Sequence, residues 1–150
     1  MRKAPVPNTT TTSTTSTTSN ASTTPNASNT SKNEKALKPE DLTRLFVERA
    51  NDGDAAGIAA LYEEHAVMAY PPGQQTVGRD AIQALWEKVL ANAPHFEQEP
   101  PLPTLISGDL ALTSTPPKDG VGARAQVVRR QPDGTWLRLL DQPEFVPASR

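Results

Sequence analysis

The sequence predicts an α+β domain, in which helices come first and antiparallel strands follow. Three observations lead there. Apolar residues recur at helical spacing only between residues 39 and 94; beyond that point, short apolar runs are separated by Gly-Asp and Asp-Gly turns; and no strand-helix-strand alternation appears anywhere.

The domain begins late in the chain. Residues 1–33 are almost entirely Thr, Ser, Asn, Ala and Pro, with no aromatic side chain. Such a segment buries too little apolar surface to offset about 1–2 kcal/mol per residue of backbone ordering entropy, so it is expected to be a disordered tail. It holds four Asn-X-Ser/Thr triplets, at Asn8, Asn20, Asn26 and Asn29, a number expected by chance in this composition. Residues 34–150 are expected to form one domain.

The first helix opens at Pro39-Glu40-Asp41, with a proline suited to the first turn and acids at the positive end of the helix dipole. Leu42, Leu45, Phe46 and Ala50 form its apolar stripe, and Asn51-Asp52-Gly53 ends it. Asp54 is placed to cap a short second helix bearing Ile58, Leu61 and Tyr62. A strand is expected over Ala66–Tyr70, broken by Pro71-Pro72-Gly73, with a short return strand over Gln75–Val77. Gly78-Arg79-Asp80 starts the third helix, whose stripe is Ile82, Leu85, Trp86, Val89 and Leu90. Strands are then expected over Phe96–Glu99, Thr104–Ser107, Leu110–Thr115, Ala123–Arg130 and Thr135–Asp141.

Charge and composition exclude several functions. Of the 15 basic residues three lie in the tail, which leaves twelve in the domain against all 17 acidic ones. A net negative domain is a poor partner for nucleic acid or for an anionic membrane surface. With no cysteine there is no disulfide, thiolate nucleophile or thiolate-bound metal. The two histidines, His65 and His95, are thirty positions apart and share no ligand motif, so neither a metal nor a cofactor is expected. Without an apolar leader or a long apolar run, the chain is expected in the cytoplasm.

Gly53-Asp54, Leu61-Tyr62, Ala66-Val67, Pro71-Pro72-Gly73, Gly78-Arg79-Asp80-Ala81-Ile82, Gly108-Asp109-Leu110-Ala111 and Asp133-Gly134-Thr135-Trp136 occur in an order and spacing that resembles the SnoaL-like, ketosteroid-isomerase-like branch of the nuclear transport factor 2 superfamily. The resemblance spans about residues 42–145. It implies three N-terminal helices packed on a strongly curved antiparallel sheet, forming a cone around a pocket, and commonly a homodimer through the outer sheet face. Steroid isomerases of this fold use an Asp base with a Tyr and a protonated Asp as oxyanion donors. The matching positions hold Tyr70, Phe46 and Gln126, so that mechanism is not expected.

The resemblance also orients the strands. It turns Arg124, Gln126, Leu112, Ser114, Leu139 and Asp141 inward, and leaves Trp136, Leu140, Ala125 and Val127 on the outer face. The implied ligand-binding set is Phe46, Tyr62, Tyr70, Trp86, Leu112, Ser114, Arg124, Gln126, Leu139 and Asp141. Each has a plainer alternative. Tyr62 and Trp86 lie on apolar stripes and suit the core equally well; Tyr70 suits a lid over the cone mouth. Asp141 is the candidate catalytic residue, serving as acid or base if isolated in an apolar pocket, or as half of an ion pair with Arg124. The expected partner is a small apolar or polyketide-like organic molecule, whether or not the protein is an enzyme. The alternative is a non-catalytic homodimerisation or scaffolding module carrying the tail.

Overall fold

A computed structural model describes residues 33–118, 120 and 122–145. The expected tail therefore lies, apart from Asn33, outside the described residues, as do residues 146–150.

Three helices, α1 (Asp41–Asn51), α2 (Ala55–Ala59) and α3 (Arg79–Leu90), pack on a six-stranded sheet of β1 (Tyr62–Met68), β2 (Thr76–Val77), β3 (Leu105–Ser107), β4 (Leu110–Thr115), β5 (Arg124–Arg130) and β6 (Trp136–Gln142). The strand order is β2-β1-β6-β5-β4-β3. Strands β3 to β6 form the expected antiparallel meander, and β1–β2 is an antiparallel pair. The two groups join through β1 and β6, which run parallel, so the sheet is mixed. It wraps around the helices as the α+β cone expected for the family fold.

Local chemistry accounts for the helices. The Asp41 carboxylate accepts from the Leu37 and Lys38 amides just before α1. Asp54 caps α2 by accepting from the Gly57 amide at 2.9 Å. Gly78 precedes α3 with φ of 95°, a backbone angle that favours glycine. Leu42, Leu45, Ile58 and Ile82 close the core against Ala66, Met68 and Val128 of the sheet, all essentially inaccessible to solvent.

Three expectations change. Tyr62, expected on the second helix, instead opens β1, opposite Arg138 of β6. The Arg138 amide donates to the Leu61 carbonyl at 2.8 Å, so sheet pairing overrides the local helical stripe. Phe96–Glu99 is not a strand. Its neighbourhood is rich in prolines, which lack ladder donors, and it is held by Asn51, whose side chain bonds both the amide and the carbonyl of Phe96.

The third change decides the site. Val127 of β5 lies opposite Leu140, but Val128 lies opposite Arg138, so Leu139 is an extra residue in β6. This bulge reverses the in–out alternation of the preceding part of the strand. Trp136, expected outside, is buried, together with Arg138; Asp141 is buried as expected; Leu140 is exposed; and Leu139, expected inside, has no partner in the ladder. On β4, Thr113 rather than Leu112 or Ser114 faces the same way as Gln126, its ladder partner. Leu112 is exposed and Ser114 lies on its side, while Ala111, Thr113 and Thr115 are buried. Both corrections are one-residue shifts of register.

Among the described residues no helix is long and apolar enough to cross a membrane. Replacing Ile82, which is fully buried, by Ala is expected to destabilise the domain by about 2–5 kcal/mol in urea unfolding.

Candidate functional site

Where α1, α3, β5 and β6 converge inside the cone, the sheet carries a buried polar cluster. Asp141 lies at its centre. Its Oδ2 accepts from the Tyr62 hydroxyl at 2.5 Å, and its Oδ1 accepts from Gln126 Nε2 at 3.2 Å. Thr113 in turn donates its hydroxyl to Gln126 Oε1 at 2.9 Å, which orients that amide. Arg138 Nη1 lies 3.6 Å from Asp141 Oδ2 and donates to the Tyr62 hydroxyl oxygen at 3.3 Å. The side chains of Arg138 and Asp141 are only 4% and 3% exposed, so this is an ion pair held out of water. The Arg138 guanidinium also lies over the rings of Phe46 and Tyr62, at 5.1 and 5.7 Å from their centroids.

These contacts shift titration. Burial, reinforced by the Asp141 charge, pushes the Tyr62 phenol well above its ordinary value of 10. Burial alone would lower Arg138, but Tyr62 and Asp141 outweigh it, and the guanidinium is held more firmly in its charged form.

Beside the cluster lies a cavity of about 130 Å³. Phe46, Trp86 and Phe96 form its aromatic wall, with Phe46 and Trp86 edge to face at 5.1 Å. Arg138, Asp141 and Gln126 face it from the sheet, and Arg124, salt-bridged to Glu99, lies along another side. A larger cavity of about 560 Å³ lies elsewhere, between residues 33–36 and the β5–β6 turn. There Lys35 and Asp133 bond each other, and Thr135 holds the Asp133 carboxyl down at about 2. Lys35, Asp133 and Thr135 are thus engaged with one another, and we place the candidate site in the smaller cavity, where the buried polar cluster meets open space.

Of the residues expected at a site, Phe46, Trp86, Arg124, Gln126 and Asp141 line this cavity. Tyr62 lies behind it, fully buried and linked to it through Asp141 and Arg138. Tyr70 packs against the core away from the lining, and Leu112, Ser114 and Leu139 do not reach it. The expected pairing of Arg124 with Asp141 is replaced: Arg124 binds Glu99, and Asp141 binds Arg138. Arg138, Thr113 and Phe96 were not anticipated. The signal for Arg138 was present, as a cation inside the apolar run Trp136–Leu140 with an acid three positions on, but strict alternation pointed it outward. Among the described residues no group of three or more His, Cys, Asp or Glu is arranged to hold a metal ion.

The model of the SnoaL-like domain matches residues 43–138, most of the described chain. The chain belongs to the SnoaL-like family. Solved structures agree with the fold. A nuclear transport factor 2-like protein with a cystatin-like fold from Novosphingobium aromaticivorans superposes on the SnoaL-like domain with a TM-score of 0.58 and 22% identity, covering 73% of this chain and 80% of that one. A protein assigned as a calcium/calmodulin-dependent protein kinase type II association domain, from Thiobacillus denitrificans, gives 0.58 and 20%, covering 73% and 98%. A ketosteroid isomerase-like protein from Erwinia carotovora atroseptica gives 0.55 and 16%, covering 72% and 94%. Identities this low establish a shared fold and nothing finer. No curated protein sequence matches the chain.

Asp141→Asn leaves the buried Arg138 charge without its counter-ion and is expected to cost about 3–5 kcal/mol in urea unfolding. Tyr62 should also respond to alkali. Below pH 10 folded and unfolded chains both hold the phenol proton; above it the unfolded chain releases the proton while the folded chain retains it. Stability should therefore fall as pH rises past 10, and Tyr62→Phe should flatten that part of the profile. The phenolate absorbance of native Tyr62 is expected to appear only on unfolding.

Proposed function

We propose that this SnoaL-like domain binds a small organic molecule in the cavity bounded by Phe46, Trp86, Phe96 and the Arg138–Asp141 pair. The observation that carries the reading is the placement of a charge-paired, hydrogen-bonded cluster beside open space with aromatic walls. Burying such a cluster is expensive, and a purely structural core of this size is served as well by apolar side chains.

The steroid-isomerase mechanism of the fold does not fit. Phe46 and Tyr70 cannot supply the donor and base at their positions, and both oxygens of Asp141 are already occupied by donors. Asp141, expected as an acid or base, acts in this reading as a positioning residue that holds Tyr62, Gln126 and Arg138 in register. The volume of about 130 Å³ is below the roughly 300 Å³ at which drug-sized pockets begin. The enclosed part of any ligand is therefore compact, and a bulky polyketide-like body would have to extend outside.

A second reading concerns assembly. The outer sheet face exposes Leu110, Leu112 and Leu140 at 46%, 38% and 47%, beside a groove of about 290 Å³ that includes Val67, Ala125 and Val127. A structurally similar protein is, by its name, an association domain. A second copy of this chain is the occupant that fits, since two such faces bury the same apolar strip on each other.

Screening the isotope-labelled chain against small organic fragments by amide NMR is expected to give shifts clustered on Phe46, Phe96, Thr115 and Gln126. Thr115→Phe, which places a ring in the cavity, should abolish them. Hits that scatter over the surface, or that survive this substitution, would remove the binding reading. In sedimentation, Leu140→Glu is expected to convert a dimer to a monomer without changing fragment binding; a wild-type monomer would sink the assembly reading.

A further inference from the structure

Among the described residues, three buried side-chain polar atoms lack a hydrogen-bond partner: Trp86 Nε1, Arg124 Nε and Arg138 Nε. All three residues line the cavity of about 130 Å³. Trp86 and Arg138 are 8% and 4% exposed, so bulk water does not reach them freely. A buried donor left unsatisfied costs about 1–3 kcal/mol. Three around one small space therefore constitute a chemical demand located at that space.

The demand has one sign. Indole and guanidinium nitrogens donate and cannot accept. The buried acceptors on the floor are committed: Asp141 to Tyr62 and Gln126, and Gln126 Oε1 to Thr113, while Glu99 binds Arg124; Glu97, also on the lining, is exposed to solvent. An oxygen acceptor entering the cavity would find donors ready to meet it. On the buried floor, a donor would find acceptors already engaged.

Charge and size narrow the class further. Arg138 is balanced by Asp141, and Arg124 by Glu99, which leaves the exposed Glu97 as the one further charge on the lining, so recognition does not depend on a large net field. The volume is on the order of four times the roughly 30 Å³ that a water molecule occupies in the liquid. Phe46 and Phe96 offer ring surface to an apolar body attached to that oxygen.

We propose that the cavity recognises a compact ligand, or the compact end of a larger one, through a carbonyl or carboxylate oxygen that accepts from Trp86 Nε1–H and Arg138 Nε–H. This rests on the small-molecule reading above and specifies its chemistry.

The test compares three probes on the full chain by NMR: cyclopentanone, a neutral carbonyl; isobutyrate, a carboxylate; and cyclopentane, a ring of the same kind without oxygen. Trp86→Phe identifies the Trp86 indole signal, since the chain has only two tryptophans. At least one oxygenated probe is expected to move the Trp86 indole N–H and Arg138 Nε–H signals downfield, and cyclopentane to move neither. Which of the two acts tells carbonyl from carboxylate. Trp86→Phe, which keeps a ring but loses the N–H, should weaken the active probe about tenfold more than it weakens cyclopentane. If that variant does not fold, the wild-type shifts decide alone, with the indole signal assigned through its contacts to Phe46. Should cyclopentane shift Phe46, Phe96 and Thr115 as strongly as the oxygenated probes, with both N–H signals still, the acceptor proposal fails and the binding site survives. If no probe moves any cavity signal, both fail together.

Discussion

The buried pair of Arg138 and Asp141 is the constraint on which the interior of this domain depends. Neither charge is tolerable alone at this depth, so each fixes the other, and Tyr62, Gln126 and Thr113 are drawn in to satisfy what remains. The pair exists because β6 carries one extra residue. Arg138 and Asp141 are three apart, a spacing that puts two residues on opposite faces of a regular strand; the bulge at Leu139 puts both on the inner face. One irregularity in one strand thereby turns an apolar-looking segment into the polar floor of a cavity.

The helices and the proline-rich segment complete the enclosure. Phe46 from α1 and Trp86 from α3 meet edge to face, and Phe96 joins them with its backbone held by Asn51, at the end of α1. Arg138 then stacks over Phe46, so the charged floor and the aromatic wall are one continuous packing unit. This arrangement differs from that of a steroid isomerase sharing the fold. The family scaffold is retained, but its polar chemistry is built from a guanidinium and a carboxylate at other positions, together with the Gln126 amide at a position that matches one of the isomerase donors.

The inner and outer faces of the sheet are linked by the same register. Wherever Thr113, Gln126 and Asp141 turn inward, Leu112, Val127 and Leu140 must turn outward. The apolar outer strip is therefore the geometric complement of the polar interior, and a change of register that exposed one would bury the other.

The order of elements, the α+β class and the Asp54 cap of α2 were legible in the amino-acid sequence, because they rest on local chemistry: helical periodicity, an Asp before a short helix, turn dipeptides between apolar runs; the inward direction of Gln126 and Asp141 came from the family resemblance, which carries a strand register that local chemistry does not. Phe46 and Trp86 were legible as members of helical apolar stripes for the same reason, and the family resemblance supplied their place at the pocket wall. The strand identity of Tyr62, the inward turn of Trp136 and Arg138, the outward turn of Leu112 and Ser114, and the place of Phe96 were not. Each depends on which residue of a neighbouring strand or helix it meets, and no local pattern records that meeting. The sequence alone determined the class and the order of the elements, because those follow from local periodicity and turns; only the tertiary structure decided which side chains share the cavity, because a single inserted residue in β6 reverses a face without altering any composition or period that could announce it.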